Sequence, residues 1–216
     1  MLFFFKFDII NYDEDVHMRK DRVVLYRILR YPAEGVFRLL SGFKIYGKEK
    51  IPKSGAMILA GNHVGNADPL LICASTSRVV HFLGKIELFK NPFTRWVFTN
   101  CAVTPVDRSK HNPDAMRAVV EQLEDGKLVG IFPEGTRNKT KDLKMLPFKF
   151  GAVSLASKTN CKILPFAIKG HFKFFKNELR VLYGDPISIE GMDLEEANEY
   201  LKNTISKLMD EIEGVK

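Results

Sequence analysis

The chain has 216 residues, 45% of them apolar and 27% charged, which fits one globular domain with a sizeable core and excludes a largely disordered chain. Its net charge of +7 is unevenly spread: residues 17–50 carry nine Lys and Arg against three Asp and Glu, residues 137–180 eleven against two, and residues 181–216 three against nine. Concentrated positive charge selects anionic partners: a nucleic acid, an anionic membrane surface, phosphorylated substrates or an acidic carrier protein. The three cysteines, Cys73, Cys101 and Cys161, are far apart and lie in or beside apolar runs. That is the pattern of reduced, buried thiols in a cytosolic protein, not of a disulfide framework or a zinc site.

In chain order, the opening MLFFFKFDIINYDEDVH has an apolar run too short to span a bilayer, with no small-residue cleavage site after it. It is expected to be neither a signal peptide nor a transmembrane helix. Residues 19–31 place Arg19, Arg22, Arg27 and Arg30 on one side of a helical wheel and Val24, Leu25, Ile28 and Leu29 on the other. Pro32 then interrupts and AEGVFRLLSGF resumes, so the reading is two helices. Either both pack on the domain, or they form a basic amphipathic hairpin in the lipid interface. The Phe-rich start and HFKFFKN at residues 171–177 tilt the expectation toward the membrane.

From residue 43 short apolar strands alternate with helices. FKIYG, AMILAGN, RVVHFLG, CAVTPVDR, KLVGIFPEG, KILPFAIKG and LRVLYG read as strands. Helices are predicted over residues 68–77, with Asp68 as N-cap and Pro69 at the first position, and over residues 113–125 before Gly126. KIELFKNPFTRWVFTN reads as helix, break, helix, PFKFGAVSLASKTN as a helix, and the segment from DLEEANEY onward as a long amphipathic helix. The alternation predicts an α/β domain with a mainly parallel central sheet flanked by helices over residues 41–216. The amphipathic hairpin would occupy residues 1–40.

Ligands of such sheets gather at the carboxyl ends of the strands. GNHVGNAD, PVDRSK and FPEGTRNKT all fall there, and Lys85 closes the strand RVVHFLG. On a helix, His63 and Asp68 would point about 140° apart. In a loop containing Gly65 and Asn66 they can meet. A carboxylate on one imidazole nitrogen fixes the tautomer and frees the other nitrogen to take a proton. The bland alternative makes Asp68 a helix cap and His63 a loop residue bonded to a carbonyl. Arg137, in GIFPEGTR, offers a planar fork suited to phosphate oxygens, with the backbone N–H groups of the turn beside it. Taken singly, Arg137, Arg108 and Lys85 read equally as solvated surface cations.

NHVGNAD, VDRSK, FPEGTR and ILPFAIKG stand in the order and rough spacing of four motifs of the glycerolipid acyltransferases. The chain resembles that family over roughly residues 40–190, and most of all its bacterial 1-acylglycerol-3-phosphate acyltransferases. The H-x4-D and F-P-E-G-T-R pair carries the specificity, whereas VDR and LPFAI are looser. The resemblance implies transfer of a fatty acyl group from acyl-CoA or acyl-acyl carrier protein to the sn-2 hydroxyl of lysophosphatidate, with neither a bound cofactor nor a metal. It implies His63 as general base and Asp68 as its orienting partner. It also implies Arg137, Lys85 and Arg108 on the phosphate, with Glu134 and Gly135 lining the glycerol site. The strand before VDRSK lacks a glycine of the second motif, which weakens the role of Arg108. Loop N–H groups between Gly61 and Gly65 are the expected oxyanion donors. No G-x-S-x-G elbow occurs and no cysteine adjoins His63, which argues against a covalent acyl-enzyme.

The family reading places the protein on an anionic membrane surface, peripheral and monotopic at the cytoplasmic face. Competing readings are an acyltransferase for glycerol-3-phosphate or another lysophospholipid, a thioesterase-like hydrolase, and a non-catalytic basic membrane- or nucleic-acid-binding protein. Nucleic acid is not expected as a partner, because the basic stretches lack helix-turn-helix, zinc and aromatic-stacking signatures and the last helix is acidic.

Overall fold

A run of apolar residues such as Met57–Gly61, buried at all five positions, needs cover on both faces. That requirement sets the architecture. The structure is a computed structural model that describes residues 23–107, 112–140, 142–170 and 179–214. Strands β1 (Lys44–Tyr46), β2 (Met57–Gly61), β3 (Val80–Lys85), β4 (Val103–Val106), β5 (Leu128–Ile131), β6 (Ile163–Lys169) and β7 (Arg180–Tyr183) form one sheet in the order β1-β7-β6-β2-β5-β3-β4. The five strands from β6 to β4 run parallel. β7 is antiparallel to β6, and β1 follows β7 at the same edge. The carboxyl ends of five strands therefore share one rim.

The helices are α1 (Val24–Ser41), α2 (Asp68–Ser75), α3 (Pro92–Asn100), α4 (Pro113–Glu124), α5 (Gly151–Thr159) and α6 (Leu194–Gly214). Alternate strand residues serve opposite faces. Leu59, Phe82, Leu128 and Leu164 meet Phe37 of α1 and Leu71 and Ile72 of α2. Ile58, Ala60, Val129 and Ile163 meet Val119 of α4, Leu155 of α5 and Leu201 and Ile205 of α6. Polar side chains set several helix starts: Asn91 accepts from Phe93 N–H at 2.9 Å and Asn112 from Ala115 N–H at 3.1 Å, each followed by proline at the first position.

Three expectations are corrected. The break at Pro32 is absent, and α1 runs through it as a single helix. Proline removes one intrahelical hydrogen bond; Ile28 and Pro32 both face outward, where water can serve the freed carbonyl. The two arms expected on either side of Pro32 are thus one helix over Val24–Ser41, while the first 22 residues and the HFKFFKN segment lie outside the described residues. The wheel expected for α1 also turns: Tyr26, Phe37 and Ser41 are buried, while Ile28 is 62% and Leu29 43% exposed. Finally, α5 starts at Gly151 and not near Pro147, because Leu146 and Lys149 give their N–H groups to the 133–134 turn. Among the described residues the cysteines are unpaired and half-buried, and no helix is long and apolar enough to cross a membrane.

Candidate active site

The loop after β2 begins with a substitute for sheet pairing. Asn62, 1% exposed, donates from Nδ2 to the Ile168 carbonyl at 2.9 Å and accepts the Ile168 N–H on Oδ1 at 2.7 Å. The side chain thus continues the β2–β6 ladder while the backbone turns away, and His63 follows at the rim.

Asp68 is 2% exposed and forms no cap bond at the start of α2. The expected capping role is replaced by a backward reach. Its Oδ2 accepts from Val64 N–H at 2.7 Å, Gly65 N–H at 2.8 Å and His63 Nδ1 at 2.8 Å. An oxygen already accepting two backbone N–H groups carries no proton, so Nδ1 must be the donor. That fixes the imidazole tautomer and leaves Nε2 as an acceptor. The ring stays accessible at 14% side-chain exposure, with its partner at 3%.

Below the imidazole lies an aromatic platform. Phe132 stacks on His63 with centroids 4.1 Å apart and planes 18° from parallel. Phe82 stacks on Phe132 at 5.7 Å, and Phe166 meets it edge-on at 6.0 Å. Glycines in the neighbouring strands make the room. A Cβ on Gly61 would stand 2.2 Å from Phe166 Cε2, and one on Gly130 would stand 2.3 Å from Phe82 Cε1. Both distances are inside any tolerable contact.

The second loop, after β5, is tied to the first. Pro133 leads into a tight turn closed by Gly135 N–H donating to Phe132 O at 2.9 Å, with Gly135 at φ 68°. Glu134 is 3% exposed and spends both oxygens on backbone donors, His63 N–H at 2.8 Å and Leu146 N–H at 2.8 Å. Burial pushes its carboxyl above the usual range, against the pull of those two donors. Asn138 N–H donates to the His63 carbonyl at 2.8 Å, which brings Arg137, half-buried, beside the histidine loop.

His63, Asp68, Glu134, Gly135 and Arg137 are therefore gathered by hydrogen bonds between two loops. Lys85 stands exposed at the end of β3 on the same rim, two strands from β2. Arg108 lies outside the described residues. The expected oxyanion donors need correction: the N–H groups of His63, Val64 and Gly65 are all taken by carboxylates. Sequence reasoning missed Phe132, Asn62 and Lys149. The side chain of Lys149 crosses Gly135, where a Cβ would sit 2.9 Å from its Cδ and 3.3 Å from its Nζ. Phe132 was legible only as the first letter of FPEGTR, since stacking across two loops leaves no periodic signal. No cluster of His, Cys, Asp and Glu among the described residues is fit to hold a metal ion.

The fold and the His63–Asp68 pair together define an α/β protein with a carboxylate-bonded histidine at the carboxyl rim of its sheet. The sequence pattern of the Acyltransferase family matches residues 42–169, a stretch holding both loops, and the chain belongs to that family. It is 27% identical over 168 residues to the 1-acyl-sn-glycerol-3-phosphate acyltransferase of Bacillus subtilis, covering 76% of this chain and 82% of that one. To the Borreliella burgdorferi protein of the same name it is 31% identical over 177 residues, covering 79% and 70%. The crystal structure of the 1-acyl-sn-glycerophosphate acyltransferase PlsC from Thermotoga maritima superposes with a TM-score of 0.72 at 26% identity, covering 95% of this chain and 90% of that one.

Proposed function

We propose that this protein transfers a fatty acyl group from an acyl thioester to the sn-2 hydroxyl of 1-acylglycerol-3-phosphate, giving phosphatidate for phospholipid synthesis. The named relatives acylate that acceptor according to their names. The observation that carries the reading is the Asp68 oxygen that binds Val64, Gly65 and His63 together, because it leaves Nε2 of His63 with a lone pair.

In this reading Nε2 takes the hydroxyl proton as the acceptor oxygen attacks the thioester carbonyl. The imidazolium that forms faces the Asp68 carboxylate at 2.8 Å, which stabilises it. Collapse of the tetrahedral adduct forms the ester and breaks the carbon–sulfur bond, and the thiolate leaves with the proton returned by His63. Arg137 and Lys85 hold the acceptor phosphate. Gly135 shapes the glycerol subsite, and Glu134, whose oxygens are both engaged, acts on it by holding the loops. Acyl-CoA and acyl-acyl carrier protein are both anionic and suit the basic stretch of residues 137–180.

The membrane contact is proposed on the α1–α3 side, at the cytoplasmic face. Ile28 (62%), Leu39 (82%), Leu70 (52%), Phe93 (70%) and Trp96 (56%) are exposed there on helices that pack together, and exposed apolar area of that kind marks an interaction surface. The test is mass spectrometry of the products from protein, lysophosphatidate and each thioester in turn. Phosphatidate formed by the wild type and not by His63→Ala is the expected result. Release of free fatty acid alone would replace the reading with hydrolysis.

A further inference from the structure

A concave feature lies at the end of the sheet opposite His63. At the amino rim, a cleft of about 500 Å³ opens between the first half of α1, the start of β3 and the turn into β5. Parallel strands place it away from His63: five residues of β2 at ~3.3 Å each separate the two rims by on the order of 15 Å.

Arg27, Arg30, Arg78 and Lys127 line the cleft, and among the described residues its wall contains no carboxylate side chain. Its scaffold is fixed. The Tyr26 hydroxyl accepts from Val80 N–H at 3.1 Å and donates to Arg78 O at 3.2 Å, pinning α1 to β3. The Arg78 guanidinium donates to the carbonyls of Pro52 at 3.1 Å, Gly55 at 2.7 Å and Gly126 at 2.8 Å. Those bonds hold the charge in place without neutralising it. Lys127 meets Asp125 at 3.1 Å. The Arg30 guanidinium lies 4.8 Å over the Tyr31 ring, and its Nε is buried with no hydrogen-bond partner among the described residues. A buried charged donor without an acceptor is costly, and positive charges gathered on one concave wall repel one another. One ligand group relieves both conditions: an anion with several oxygens, to which arginine forks are matched.

We infer that the amino-rim cleft binds a phosphate ester, held by Arg27, Arg30 and Lys127 against the fixed guanidinium of Arg78. The site is distinct from the acceptor grip at the carboxyl rim and does not rest on the acyl-transfer reading. Two sources supply this chemistry. A phospholipid headgroup would enter with its chains against Ile28 and Tyr31, which are 62% and 67% exposed beside the two arginines. A soluble phosphate ester needs only the cleft.

Histidine-ring NMR signals of the full chain read both rims at once, His81 at the cleft and His63 at the other end. Titration with inorganic phosphate at constant ionic strength should shift the His81 signal saturably. Arg27→Gln combined with Arg30→Gln should weaken that response at least tenfold, as Lys127→Gln should to a smaller degree. Arg137→Ala should leave it unchanged, and the double variant should turn over a dispersed short-chain acceptor at the wild-type rate. Co-sedimentation with phosphatidate-doped vesicles separates the sources. Reduced sedimentation of the double variant identifies the lipid headgroup, whereas equal sedimentation with the phosphate response intact in the wild type identifies a soluble ester. A His81 signal that does not move, that moves equally in the double variant, or that is abolished by Arg137→Ala overturns the site.

Discussion

The ring of Phe132 lies 4.1 Å from that of His63, and the two are 18° from parallel. Together with the Asp68 bond this fixes the imidazole in both position and rotation. Phe132→Leu keeps an apolar side chain, somewhat smaller, and removes the flat surface. Turnover should fall roughly tenfold to a hundredfold with KM nearly unchanged, because small misplacements of a base cost that much. Steady-state kinetics with both substrates varied provides the check. Wild-type turnover in Phe132→Leu would mean that Asp68 alone orients the ring.

Asp68 joins three donors on one oxygen, so its substitutions separate structure from chemistry. In Asp68→Asn the amide oxygen can still accept Val64 and Gly65 N–H, so the loop should hold and stability should stay within about 1 kcal/mol. That same oxygen also keeps Nδ1–H and so the tautomer, but the carboxylate charge that stabilises the imidazolium is gone, and turnover should fall by about two to four powers of ten. Asp68→Ala strands two backbone donors as well and should cost a further 1–3 kcal/mol or so. Urea denaturation alongside activity measures both. An active Asp68→Asn enzyme would remove Asp68 from the chemistry.

Much of the fold was legible because the strands are apolar runs separated by turn signals, and because Pro113 and Gly126 bracket a helix. The pairing of His63 with Asp68 was legible too, as a loop in which two groups five residues apart can meet. Features made by distant residues were not legible. The continuity of α1 through Pro32 depends on which way Ile28 faces, and the start of α5 depends on Glu134 and Pro133 drawing N–H groups away from it. The Phe132 platform depends on two glycines in different strands. Asp68-Pro69 gave a wrong local answer for a good local reason: it is a cap sequence, but the donors of the preceding loop compete for its carboxylate.

Glu134 holds His63 N–H and Leu146 N–H with one oxygen each. Glutamine has one acceptor oxygen, so Glu134→Gln leaves one buried donor facing an NH₂ group. The expected loss is about 1–3 kcal/mol of stability, with a fall in turnover as the His63 backbone shifts. Guanidinium unfolding with an unchanged m-value would report it. Equal stability and activity in the variant would show that these two bonds do not hold the loops.

Arg137 and Lys85 approach the same rim from different strands. Arg137→Ala and Lys85→Ala should each raise KM for the lysophospholipid several-fold while leaving KM for the thioester in place. Arg137→Lys should recover only part of the loss, since an ammonium cannot make the two parallel bonds of a guanidinium. Lys149, crossing Gly135, is the next cation to test. If Arg137→Ala and Lys85→Ala both kept wild-type KM for the acceptor, the phosphate would sit elsewhere, and the effect of Lys149→Ala would locate it.

His81 sets an acid limit on stability. Burial, with the nearby Lys127 charge, pushes its imidazole down from 6.5 to about 4. The folded protein keeps the ring neutral over a range in which the unfolded chain takes up a proton. Its contribution is therefore fully present above the unfolded value and is lost as pH falls from about 6.5 toward about 4. A shift of that size corresponds to roughly 2–3 kcal/mol lost by about pH 4.5. His81→Gln cannot titrate and should lose that much less stability than the wild type between pH 7.5 and about pH 4.5. The carboxylates that protonate over the same range are common to both proteins and cancel in the difference. Phosphate bound in the amino-rim cleft would favour the charged ring and narrow the gap between the two curves. Parallel pH curves for wild type and variant would show that His81 titrates normally, with water reaching the ring from the cleft.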